Sequence, residues 1–413
     1  MHLMTPIKNT VAVLIIAGAV VWALDILQLL ALSVYKEQYM SFALGLTLAA
    51  IYLPAETEPQ TDRTFGWWFG VVAAIAGFVT CGYLAVMYPV LLPTMIIKPM
   101  PAVICGAILI PLMVEALRRV AGLTLCLILV AFLFMGLFAH YLPGLLEGRQ
   151  VRPGRLISYL MIDPNGILGL PLLVTSTIVV SFVLFGNILN VAGGGAFFTD
   201  LSLAAMGRFR GGTAKIAIAA SALFGTVSGS AVANVASTGV ITIPMMKKSG
   251  YSPSDASAIE ASASTGGQLL PPVMGAVAFL MAEFLNVPYA EVALAALIPG
   301  LLYYTCLFIQ ADLLAARNGI TALKSADLPR AMRVLAKGGH YIIPFAVLVT
   351  GLFKYNLEAE RAVAYATAVT LFLGALRSYG PTRLTLRGVF HAVVSGGRTV
   401  ADIIIIGACA GAI

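Results

Sequence analysis

Two polar, small-residue stretches interrupt otherwise apolar sequence: GTVSGSAVAN at residues 225–234 and STGGQLLPP at residues 264–272. In the first, Ser228, Ser230 and Asn234 offer hydroxyl and amide oxygens, and Gly229 lets the backbone turn so that carbonyl oxygens point inward. A hard monovalent cation such as Na⁺ takes a cage of neutral oxygens, which opened helix ends supply without burying carboxylates. Half-helices that restart after such a break present free N–H groups to an anion. In the second stretch, Gly266 and Gly267 loosen the helix, and Pro271 and Pro272 remove two amide donors and free carbonyls one turn earlier. Gln268 is the long polar side chain there and is a candidate for touching substrate. The plainer alternatives are close helix packing through small residues for the first stretch and a proline kink for the second. The density of Ser, Thr, Asn and Gly, and the nearness of the two stretches, favour a site.

Four acidic residues fall in or beside apolar runs: Asp25, Glu115, Glu260 and Glu283. An intramembrane carboxylate is a functional hypothesis by default. Glu260 precedes Gly267 by about two helical turns, so it is a candidate for proton or ion coupling, with pairing to Lys247 or Lys248 as the alternative. Glu115 and Glu283 read as boundary residues. Catalysis at Ser228 would need a His or Lys at the same depth, but His2, His140, His340 and His391 all fall at the ends of runs. There is no HExxH, paired-Asp or phosphate-loop motif, so the chain reads as a non-enzyme without catalytic residues.

The elements that position these residues follow from composition. Of 413 residues, 60% are hydrophobic and 10% charged, against about 25% charged in soluble domains. That composition predicts an all-α polytopic membrane protein. The net charge of +7 does not signal nucleic-acid binding, because Lys and Arg fall between apolar runs. Candidate spans lie near 10–34, 40–54, 66–92, 101–117, 120–142, 167–191, 289–311, 340–353 and 360–377, with a last run after Arg387. Between them, residues 213–246 read as a re-entrant hairpin, its arms too short to span. Residues 254–287 read as a broken helix, with Ser252-Pro253 as its start signal. Cys81, Cys105, Cys126, Cys306 and Cys409 stand singly in apolar sequence and read as small buried hydrophobes. The final apolar run stops in mid-span at Ile413, which predicts a fragment.

Residues 193–289, with GGGAFF, GTVSGSAVANVASTGVITIPMM and EASASTGGQLLPPVMG, resemble the tripartite ATP-independent periplasmic (TRAP) transporters, in particular the fused membrane component of the TAXI subgroup. The resemblance implies an elevator-type secondary transporter with inverted repeats. It implies import of a small organic anion, a carboxylate, delivered by a periplasmic TAXI-type solute-binding protein and driven by Na⁺, or by H⁺ instead. It implies Na⁺ contacts at Ser228, Gly229, Ser230, Gly266, Gly267 and Pro271, with Asn234, Thr238 and Gln268 toward substrate and Glu260 toward proton or ion coupling. Residues 1–165 would be small-membrane-subunit-like helices and their connection, and 166–390 the first half of the large subunit. Residues 391–413 would begin a second inverted repeat that is cut off. Localisation in the bacterial inner membrane, in contact with lipid, is implied as well. A passive channel, or a scaffold whose small residues only pack helices, is the alternative.

Overall fold

Apolar sequence must satisfy its backbone hydrogen bonds internally, and this chain does so as helix. The computed structural model describes residues 4–53, 65–97, 99–141, 143–144, 147–323, 328–379 and 383–413. Among the described residues, eight helical stretches are long and apolar enough to cross a membrane. The chain divides into two compact units, one of residues up to Val180 together with Val393–Ile413, the other Ser181–Ala392.

The first unit begins with α1 (Met4–Ala23), α2 (Lys36–Tyr52), α3 (Phe65–Leu91), α4 (Met100–Phe138) and α5 (Pro153–Ile162). It includes the first half of α6 (Leu170–Val191). The expected first run of 10–34 is corrected: α1 closes at Ala23, and Asp25 and Ala31 take positive φ of 50° and 57°. A short polar side chain tolerates the left-handed turn at Asp25, which ends the helix well before the apolar sequence does. The runs at 101–117 and 120–142 form two helices joined within α4 at Gly122, whose φ of 81° and ψ of −177° are not helical.

Small residues set the approach of α2 and α3. A Cβ on Gly45 would stand 2.9 Å from the Cβ of Cys81, and one on Gly77 would stand 3.0 Å from Leu48. With no water to bond, buried tyrosine hydroxyls find backbone carbonyls: Tyr52 donates to Leu112 O at 2.6 Å and Tyr39 to Ser176 O at 2.6 Å. Ser176 lies in a π-helical segment of α6, Thr175–Val179, where the loosened ladder leaves a carbonyl for Tyr39. Cys81, Cys105, Cys126 and Cys409 are buried as expected, whereas Cys306 is exposed.

In the second unit, α7 (Gly194–Met206), α8 (Gly212–Ser228), α9 (Ala231–Lys248), α10 (Pro253–Gly266) and α11 (Ala276–Leu285) precede α12 (Tyr289–Arg317). Helices α13 (Ala331–Phe353) and α14 (Ala359–Leu376) follow, and α15 (Leu386–Ala410) begins in this unit. The start of α10 matches its sequence signal: Ser252 caps it by accepting Asp255 N at 3.0 Å, and Pro253 takes the first turn. Alanine-rich faces let α8, α10 and α12 meet around Ala214, Ala217, Ala263, Tyr304 and Ala311. Tyr303 and Tyr304 then tie α12 to α10 by donating to Ser262 O and Ala263 O at 2.9 and 2.7 Å.

The close α2–α3 approach yields a paired prediction. Gly45→Ala should lower the midpoint of thermal inactivation of the detergent-solubilised protein, through about 1–3 kcal/mol of overpacking. Gly82→Ala, on the same α3 but with nothing within 4 Å of its would-be Cβ, should leave that midpoint unchanged or raise it. Equal effects would contradict this account of the interface.

Candidate functional site

The polar stretch at 225–234 folds as the turn of an α-hairpin. Gly229 adopts φ 59° and closes α8, and Ser230 opens α9 with its side chain accepting Ala233 N at 3.4 Å. The arms run antiparallel, since Ser221 meets Thr238 and Asn234 reaches Ser221 O. They hold 17 and 18 residues, about 26 Å at 1.5 Å per residue. The second stretch ends α10 at Gly266, makes one 3₁₀ turn over Gly267–Leu269, and resumes helix only at Ala276. The Pro271–Pro272 bond is cis.

These two breaks touch. A Cβ on Gly225 would lie 2.5 Å from Gly267 Cα, and one on Gly229 would lie 2.4 Å from Met274 O. Val273 N donates to Thr226 O at 3.2 Å, so backbone of the broken helix is bonded to the hairpin turn. Gly275 N donates to Gln268 O at 3.0 Å, closing the break on itself. On the far side Tyr289 shares its hydroxyl proton between Pro272 O and Val273 O at 2.9 and 2.8 Å. Four half-helix ends therefore converge: the C-termini of α8 and α10 and the N-termini of α9 and α11. The former carry partial negative charge and the latter partial positive charge.

The expected site residues divide into two groups. At the contact between the breaks stand Gly229, Gly267 and the segment following Pro271, with Ser228 and Ser230 flanking Gly229, whereas Gly266 lies against Tyr303 and Tyr304 of α12. Ser228 is buried and its hydroxyl makes only a long 3.4 Å bond to Ser230 O. Gln268 is exposed beside them. Asn234 and Thr238, expected toward substrate, are instead buried inside the hairpin. Asn234 Nδ2 donates to Ser221 O at 2.8 Å, and a Cβ on Gly225 would meet that amide at 3.0 Å.

Glu260 is fully buried and faces the hairpin rather than the break. Ser221 donates to its Oε1 at 2.8 Å, Thr238 to Oε1 at 2.5 Å and Thr242 to Oε2 at 2.5 Å. Ser264, one turn on, stands at 3.4 Å. A Cβ on Gly239 would come within 3.3 Å of Glu260 Cγ, so the glycine leaves room for the carboxyl group. The alternative of pairing with Lys247 or Lys248 is excluded: both are exposed at the end of α9, and no cation among the described residues lies within 4 Å of Glu260. Glu115 pairs within α4 with Arg118 and Arg119 at 2.7 and 2.9 Å.

Sequence reasoning overlooked Ser221 and Thr242. The available signal was a four-residue rhythm, Asn234, Thr238, Thr242, which lays polar side chains along one face of an apolar helix. Thr238 and Thr242 on that face meet the Glu260 carboxylate of the next helix.

Where Gly225 and Gly267 meet, neither backbone can retreat. Gly267→Ala should therefore cost about 2–3 kcal/mol and lower the thermal midpoint and yield of the protein. Gly339→Ala, with nothing within 4 Å of its would-be Cβ, supplies the control and should be neutral. A Gly267→Ala variant as stable as the control would show that the two breaks are not in contact.

Residues 107–413 match the family described as "Tripartite ATP-independent periplasmic transporter, DctM component". The uncharacterized protein YgiK of Salmonella typhimurium is 31% identical over 195 residues, covering 47% of this chain and 45% of YgiK. The C4-dicarboxylate TRAP transporter large permease protein DctM of Pseudomonas aeruginosa is 28% identical, covering 49% and 47%. The sialic acid TRAP transporter large permease protein SiaM of Vibrio cholerae is 26% identical, covering 53% and 50%. The chain spans about half the length of the curated relatives it matches. With the greater part of its sequence matched, the chain belongs to the DctM-component family of TRAP transporters, as a multi-pass protein of the bacterial inner membrane and not an enzyme.

Proposed function

We propose that this chain is the membrane component of a binding-protein-dependent secondary transporter that imports a small carboxylate with Na⁺. The observation that carries the reading is the contact of the two breaks, which brings two helix N-termini and two helix C-termini together around Gly225, Gly229, Gly267 and Met274. Positive helix ends suit a carboxylate, and negative ends with free carbonyls suit a cation. The donor set suits Na⁺: Ser228 and Ser230 offer neutral hydroxyl oxygens held only in long 3.4 Å bonds, leaving lone pairs available. Na⁺ here is a co-transported ion, met by Ser228, Gly229 and Ser230 from the hairpin and by carbonyls of Gly266, Gly267 and Pro271 from the broken helix. The exposed Gln268 is the residue proposed to meet substrate directly, since Asn234 and Thr238 are turned inward.

Further support comes from the relatives. The substrates in their names, C4-dicarboxylates and sialic acid, are carboxylic acids. In this reading the hairpin of α8 and α9 is re-entrant, entering and leaving on one side, and moves with the broken helix in an elevator-type cycle. Residues 1–165 take the place of a fused small subunit in a TAXI-type arrangement, and a periplasmic TAXI-type binding protein delivers the substrate.

Uptake of labelled carboxylates by membrane vesicles holding the permease and its cognate binding protein tests the reading. An imposed Na⁺ gradient should accelerate uptake, and binding protein should be required. The Ser228→Ala, Ser230→Ala double variant should keep its abundance but weaken Na⁺ activation by about tenfold, some 1–2 kcal/mol. If the serines only pack helices, the double variant is silent because Ala is equally small. Uptake that needs neither gradient nor binding protein would instead indicate a passive channel.

A further inference from the structure

We propose that Glu260 is a proton-binding latch that fastens both arms of the α-hairpin to α10. The inference goes beyond the sodium reading and does not depend on it. It rests on a count of protons and acceptors. Ser221, Thr238 and Thr242 each carry one hydroxyl proton, and each has Glu260 and at least one other acceptor within reach. Thr238 can donate to Glu260 at 2.5 Å or to Asn234 O at 2.9 Å. Thr242 can donate to Glu260 at 2.5 Å or to Thr238 O at 3.0 Å. Ser221 can donate to Glu260 at 2.8 Å or to the Thr238 hydroxyl at 3.1 Å.

Two complete arrangements follow. With Glu260 ionised, all three hydroxyls donate to the carboxylate, and charge-assisted bonds link α8, α9 and α10. With a proton on Glu260, the carboxyl O–H donates to one threonine hydroxyl, and both threonines return their protons to carbonyls within α9. In either state each of the three hydroxyl protons has an acceptor. A buried carboxylate tied to a fixed cation would lack the second arrangement, and Glu260 has no such partner among the described residues. The change of state exchanges bonds between helices for bonds within one helix, so protonation loosens the hairpin from α10.

The charged groups on the neighbouring elements are engaged elsewhere or lie at the helix ends. Lys215 on α8 is engaged with Asp312 of α12 at 2.6 Å, and Lys247 and Lys248 are exposed at the far end of α9. Asp255 lies in the first turn of α10, where it interacts with its cap, Ser252. On α12, Glu291 and Arg317 sit at the two ends, and Tyr303 and Tyr304 donate to Ser262 O and Ala263 O.

Infrared difference spectra of the full chain in lipid, recorded between acid and alkaline pH, read the proton. Spin labels at the exposed Val240 and Ala261, with Cys306 replaced by Ser, read the latch. The wild type should show a carboxylic-acid carbonyl band that appears on acidification, together with a label distance that broadens. Glu260→Gln should lose the band and stay broad at every pH. In Thr242→Val, which removes one donor to the ionised form, the band should persist to higher pH. Absence of a band lost in Glu260→Gln overturns the proton site, and a titrating band with an unchanged label distance overturns the latch. Should Glu260→Gln fail to assemble, an unaltered band in Thr242→Val overturns the cage.

Discussion

A helix that opens in apolar surroundings must find new partners for the carbonyls and amides it releases, and the second unit of this chain depends on how two such openings serve one another. The hairpin turn and the break after α10 lie against each other through Gly225 and Gly267, where any side chain would force the backbones apart. The Val273 amide reaches Thr226 O, and Tyr289 satisfies two carbonyls left by the proline pair. Each break is thus partly the hydrogen-bonding environment of the other. Neither would be stable facing lipid alone.

Around that contact the helices are arranged so that polar groups lie in two layers. The outer layer, with Ser228, Ser230 and the helix ends, holds its hydroxyls in long 3.4 Å bonds. The inner layer, centred on Glu260, is buried and closely bonded. Because Asn234 and Thr238 stand on one face of α9, bonded to Ser221 O and to Glu260, a change in the inner layer reaches the hairpin turn through a single helix. The proposed transport cycle and the proposed latch therefore share one mechanical element.

Much of this was legible in the sequence. The all-α membrane class followed from composition, and the breaks at residues 225–234 and 264–272 from small and helix-breaking residues in apolar runs. The Ser252 cap was readable because its chemistry is local. What remained hidden was tertiary. Hydropathy carried the first run to Val34, whereas a left-handed turn at Asp25 ends α1 at Ala23. The π-helical segment at Thr175–Val179 has no period of its own to detect, and its partner Tyr39 lies 137 residues away in sequence. Asn234 and Thr238 were read as facing substrate because they follow the polar turn. The contact of α9 with α10 turns them inward instead, and only the position of Glu260 reveals why.

The account stands or falls on the two breaks acting as one ion-responsive unit. Hydrogen–deuterium exchange of peptides spanning 225–234 and 264–275, compared in Na⁺ and in choline at equal ionic strength and pH, measures this directly. The account predicts that Na⁺ slows exchange in both segments together while the α2–α3 pair is unaffected. Slowing in one segment only, or no response to Na⁺ in either, would contradict it.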